Sequence, residues 1–184
     1  MSGNDTLKPA SLPAASLRLA LEGSLGPDEA AKALQDAGQE LGARVYDRLA
    51  ATLRDDPTTA TTEPAELDEA DFWRRLGTIF AELGWGELTF SELHPGVGSL
   101  VSHDWAEADP ASAALRPSCH CTTGMLANLL GRVANGEVGV LEVACRSRGD
   151  LECRFIFGGR HALGKIYSGL RDGATLDDLI AELV

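Results

Sequence analysis

All four cysteines of the chain lie between Cys119 and Cys153, and two of them, Cys145 and Cys153, are equidistant from Gly149. A hairpin turning through Arg146-Ser147-Arg148-Gly149-Asp150 sets these two thiols opposite each other across the strands, with Cβ atoms about 5 Å apart. Two thiolates so placed suit one zinc ion with Zn–S bonds of about 2.3 Å. Glu142 stands three residues before Cys145, in a run where the alternate positions Val138, Val140 and Ala144 are apolar. A carboxylate on such a face needs a partner or a metal. In a regular strand residues 142 and 145 point to opposite faces, so joint ligation requires the strand to end or bulge near Val143 to Ala144. The same spacing fits a plain buried thiol pair with Glu142 at its rim, and spacing alone leaves both readings open. Cys119, His120 and Cys121 sit at a helix start after Pro117. His120 and Cys121 are either auxiliary donors or ordinary helix residues.

Upstream, the hydrophobic period is helical. A short helix is expected over 14–22, following an arm of small and polar residues. Gly26-Pro27-Asp28 opens a longer helix over 27–54, with Pro27 in its first turn and Asp28 and Glu29 complementing the dipole. Leu34, Leu41, Val45, Leu49 and Leu53 recur on one face, and Gly38 fills the missing step. A Pro- and Thr-rich loop over 55–66 precedes a second amphipathic helix over 67–83, closed by Gly84. From Glu87 the period shifts towards two, and strands are expected around 88–91 and over 99–105. A helix over 119–134 ends at Asn135-Gly136. The two cysteine strands follow, then helical turns over 160–171 and a last helix from Thr175, where Asp178 completes a capping pattern. Neighbouring strands adjacent in sequence predict an α+β fold: a four-stranded antiparallel sheet packed with helices. The organisation expected is an arm and short helix over 1–26 and a single domain over 27–184.

With 184 residues, the chain is long enough to bury a core without crosslinks. Its formal net charge of −12 excludes the positive field that nucleic acid or an anionic membrane surface requires. No apolar run approaches the roughly 20 residues of a membrane span, and residues 1–13 carry no export pattern. The expected location is therefore cytoplasmic, where cysteines serve as metal ligands, reactive thiols or core residues rather than disulfides. No phosphate loop, dinucleotide fingerprint, nucleophile elbow or His-Glu-x-x-His motif occurs, so the residues point away from an enzyme.

Cys119, a helix carrying Gly124 and Gly131, and the run from Glu142 through Cys145 and Cys153 to Phe155 resemble the 4-vinyl reductase domain family. Gly84-Trp85-Gly86 resembles it too, and the likeness covers 84–158. The resemblance implies a fold shared with subunits of the vesicle-tethering TRAPP complex, a homodimer held through helices, and a pocket for small apolar molecules with a zinc ion beside it. In phenol-sensing transcription factors of this family three Cys and one Glu hold the zinc. Carried onto this chain, the ligands are Cys119, Glu142, Cys145 and Cys153, a closed set that makes the ion structural. Those sensors also carry an ATPase and a DNA-binding helix-turn-helix, for which a chain ending at Val184 has no room. Their phenol is held by His and Trp. His103 and Trp105 are pocket candidates here because they are expected on the strand before the metal helix, the other reading being an exposed His and a core Trp. Trp73, Trp85, Phe80 and Phe90 are expected in the core.

The resemblance implies a zinc-containing binding domain for a hydrocarbon, aromatic or tetrapyrrole-like ligand, acting as sensor or carrier through a protein partner. Two alternatives stand beside it. One is an accessory protein of (bacterio)chlorophyll synthesis; the other is a ligand-free scaffold subunit.

Overall fold

The computed structural model describes residues 11–183. Along the chain lie α1 (Ser11–Leu25), α2 (Pro27–Asp55), α3 (Glu69–Glu82), β1 (Thr89–His94), β2 (Val97–Ser102), α4 (His120–Val133), β3 (Gly139–Ala144), β4 (Cys153–Gly158), α5 (Arg160–Arg171) and α6 (Leu176–Ala181). Single 3-10 turns occupy Pro64–Glu66, Pro110–Ser112 and Arg146–Arg148. The helix ends follow the local chemistry of the sequence. Gly26, at φ +84°, turns the chain into Pro27 at the first position of α2. Asp68 caps α3 by accepting the Asp71 amide at 2.9 Å. Thr175 does the same for α6 with the Asp178 amide at 3.2 Å. At the end of α4, Asn135 takes the left-handed conformation and the Gly136 amide returns to the Gly131 carbonyl at 3.0 Å.

Two boundaries differ from the sequence expectation. Helix α1 is longer than 14–22 at both ends, and residues 1–10 of the expected arm lie outside the described residues. Strand β2 stops at Ser102, three residues short of Trp105. There the Asp104 carboxylate accepts the Glu87 amide at 2.9 Å and the Ser102 hydroxyl at 3.2 Å, which bends the chain off the sheet. The Ala106 amide then bonds the Trp85 carbonyl at 2.8 Å, and Trp105 turns into the core.

The sheet is four-stranded and antiparallel, in the order β1-β2-β4-β3. Sequence adjacency accounts for the β1–β2 and β3–β4 pairs. The third pair is not sequential: α4 carries the chain from β2 to the far edge, where β3 forms, and β4 returns into the gap between them. β4 is thus an interior strand, paired on both sides along its length.

Alternation along the strands divides the apolar residues between two cores. Leu100, Cys153 and Phe155 face α2, α3 and α4, together with Leu49, Phe80 and Leu126. On the other face Val97 and Ile156 pack against Leu163 and Ile166 of α5. Across the first layer α2 and α4 touch backbone to backbone. A Cβ at Gly38 would run into the Cys121 carbonyl, one at Gly42 into the Met125 carbonyl, and one at Gly124 into the Gln35 carbonyl. The gap in the apolar face of α2 is therefore the place where α4 comes closest. No helix among the described residues is long and apolar enough to cross a membrane.

Candidate metal centre

The start of α4, the end of β3 and the start of β4 converge at one end of the inner core, and each contributes a potential ligand. Cys119, Glu142, Cys145 and Cys153 are all buried, and one ligand atom from each lies within 4.8 Å of the others. Cys119 Sγ is 3.9 Å from Cys145 Sγ and 4.0 Å from Cys153 Sγ. A tetrahedral ion with metal–sulfur bonds of about 2.3 Å spaces its sulfurs by about 3.8 Å. Among the described residues this cluster could hold a metal ion, and His120 and Cys121 stand outside it.

Local structure explains how residues 142 and 145 share a face. The register slips between Glu142, opposite Phe155, and Ala144, opposite Arg154, so Val143 is the extra residue of a bulge. That single insertion restores the parity that a regular strand denies and brings Cys145 level with Cys153. The turn beyond is held by Asp150, which accepts the Cys145 amide at 2.7 Å and the Arg148 guanidinium at 2.6 Å. Gly149 completes the turn at φ +98°. Cys119 is the residue at the N-cap of α4, where its thiol makes no cap hydrogen bond. Carboxylates from elsewhere accept the exposed amides of the first turn instead. Glu142 Oε2 accepts the Cys119 amide at 2.9 Å, and Glu107 accepts those of Cys121 at 2.8 Å and Thr122 at 2.7 Å. The Thr122 hydroxyl bonds Glu107 and receives the Trp105 indole N–H at 2.6 Å. Sequence reading did not single out Glu107. It lies in a polar stretch with nothing to mark it, and the available clue was the lack of an acid or a capping side chain in the first turn of α4.

The charges in this cluster oppose one another. Hydrogen bonds to Cys145 and then Cys153, with burial, raise the Cys119 thiol well above its ordinary range. Contacts from Cys119 and Cys153 draw Cys145 well below it. Burial, and after it the negative charge at Cys145, pushes Glu142 up to about 9. Such a group gives up its protons when a cation compensates the charge. One atom makes the fit specific. Glu142 Oε1 is buried and has no hydrogen-bond partner, and a buried lone carboxylate oxygen is costly unless something binds it. Three soft thiolate donors and this oxygen form a four-ligand set that leaves no open position.

The ligand-pocket candidates fall elsewhere. Trp105 is fully buried, edge-on to Phe80 at 5.3 Å and beside Trp85 at 5.5 Å. The His103 side chain is 73% exposed, 3.9 Å from Glu152. Neither is on a strand, and neither lines the apolar groove that the structure does contain. This groove, of about 480 Å³, lies between α3, the β1–β2 hairpin and the last turn of α4. Trp73 and Phe90 stack along it with ring centres 4.7 Å apart, and Phe157 tilts against Trp73 at 5.9 Å. Trp73 and Phe90, expected in the core, thus keep part of their surface on the groove. Cluster and groove are at opposite ends of α4 and β4, with Leu126, Leu129 and Phe155 filling the core between them. The implied placement of metal beside pocket is therefore corrected: the two are joined through shared elements rather than by contact.

Residues 103–158 match the family model of the 4-vinyl reductase domain. That stretch holds all four cluster residues and lies within the span the sequence resemblance covers. Among solved structures the chain is similar to the phenol-responsive sensory domain of the transcription activator PoxR, solved with phenol. The two are 18% identical over 83% of this chain and 75% of that one, with a TM-score of 0.61. The chain is also similar to a vinyl-4-reductase family protein from Methanocaldococcus jannaschii, at 17% identity over 85% of this chain and 97% of that one, with a TM-score of 0.46. The PoxR domain shows the shared fold. No curated protein matches the chain in sequence.

Proposed function

We propose, from a 4-vinyl reductase domain over residues 103–158, that the chain is a zinc-containing small-molecule-binding domain, acting as sensor or carrier through a protein partner. The observation that carries the metal assignment is the buried set of Cys119, Glu142, Cys145 and Cys153 with its unpartnered Glu142 oxygen. Soft thiolates in a closed four-ligand set favour zinc over the hard cations. When bound, zinc supplies a structural crosslink. Cys119 anchors the start of α4, and Cys145 and Cys153 anchor the β3–β4 turn. The far ends of α4 and β4 carry Leu130, Val133 and Phe157, which line the aromatic groove. The cluster residues thus fix the two elements whose other ends wall the groove. The groove supports the ligand-binding reading: it is concave and largely apolar, with a few polar groups at its mouth. A homodimer belongs to the same proposal, and light scattering should then give twice the 19.4 kDa chain mass.

Elemental analysis of the purified protein tests the metal. About one zinc per chain is expected, the content of a single four-ligand site, with loss in Cys145→Ser and Cys153→Ser. A stably folded wild type free of metal would sink the assignment.

A further inference from the structure

The polar groups of the groove all lean towards one sign. Glu69 and Glu92 line it, together with His94, and no Lys or Arg does. Glu69 is in the first turn of α3, where an acid serves the helix dipole. Glu92 has no such role. It follows Phe90 on the same face of β1, the face turned to the inner core, where an apolar residue is the normal occupant. Opposite it in the register is Gly98. A Cβ at Gly98 would strike the Phe157 ring, so the missing side chain is what lets that aromatic lie across the sheet beside Glu92. Neither Glu69 nor Glu92 has an ion-pair partner among the described residues. Stacked aromatic faces attract cations through their quadrupoles, and an adjacent unpaired carboxylate adds to that attraction.

We propose that this groove takes a planar aromatic molecule bearing a protonated amine, its ring against Trp73, Phe90 and Phe157 and its ammonium towards Glu92. The proposal rests on the ligand-binding reading above and narrows its ligand class. A carboxylate or phosphate on the same ring would meet Glu69 and Glu92 with no cation to offset them, so the groove selects against anionic aromatics.

Three probes with one ring system test this by calorimetry on the zinc-replete full chain: tryptamine, indole and indole-3-acetate. Tryptamine should bind more tightly than indole and about tenfold more tightly than indole-3-acetate at low salt, with the ratio shrinking as ionic strength rises. Glu92→Gln, at an exposed position, should reduce that ratio, weakening tryptamine more than indole. Equal binding of all three, a preference for indole-3-acetate, or an unchanged ratio in Glu92→Gln overturns the amine preference and leaves a binding groove standing. Silence of all three probes overturns both the preference and the groove as ligand site.

Discussion

Two carboxylates close the same helix end and differ in how visible they are. Glu142 stands out in sequence because an acid interrupts an apolar alternation, and such a residue needs a reason. Glu107 does not, because it lies in a polar stretch and its role depends on being folded under α4. Its burial has a measurable consequence. Desolvation pushes Glu107 up to about 7 although Thr122 and Cys121 donate hydrogen bonds to it, against about 4.3 for an unfolded glutamate. The folded state therefore holds this proton more tightly. The stability so contributed is complete below about pH 4.3 and is lost as pH rises through about 7. The loss is roughly 3 kcal/mol. Urea denaturation of zinc-replete wild type and Glu107→Gln from about pH 4 to 8 should show the variant gaining on the wild type by that amount as pH rises. Parallel profiles would assign the pH dependence to other groups.

Among the elements, the helix pair α2–α4 shows what periodicity does and does not reveal. Leu34, Val45, Leu49 and Leu53 mark the buried face of α2 from sequence alone, and all four are buried. Gly38 appears there only as a gap. The structure gives it a function: with Gly42 and Gly124 it lets two helix backbones meet. Gly38→Ala should therefore cost about 2 kcal/mol or more, because the neighbour it strikes is a carbonyl that cannot swing aside. Gly77 in α3 has open space at the Cβ position, so Gly77→Ala should raise stability by about 0.5–1 kcal/mol. Thermal unfolding of the two variants separates a packing glycine from an incidental one, and a stabilised Gly38→Ala would contradict the close crossing. The β3 bulge is the complementary case. The requirement for it near Val143 to Ala144 follows from strand parity and the residues themselves, and the register slips there.

At the scale of the whole molecule, the sheet separates two cores, and the cysteine cluster belongs to one of them. Chelation should then loosen the protein unevenly. Hydrogen exchange should rise sharply over 118–123 and 143–153 while α5, on the other face, keeps its protection; uniform loss of protection would mean that the cluster holds the entire fold. The sequence determined the element types, most helix ends, the hairpin of Cys145 and Cys153 and the four residues of the cluster, because each of these rests on short-range periodicity, capping or turn chemistry. It carried no information on which strand β4 would join, on where Trp105 would point, or on the groove of Trp73, Phe90 and Phe157. Those depend on contacts between segments far apart in the chain. Insertion of β4 between β2 and β3, closure of α4 onto α2 and the bend at Asp104 are decided by the burial available once all the layers assemble, and only the tertiary structure contains that information.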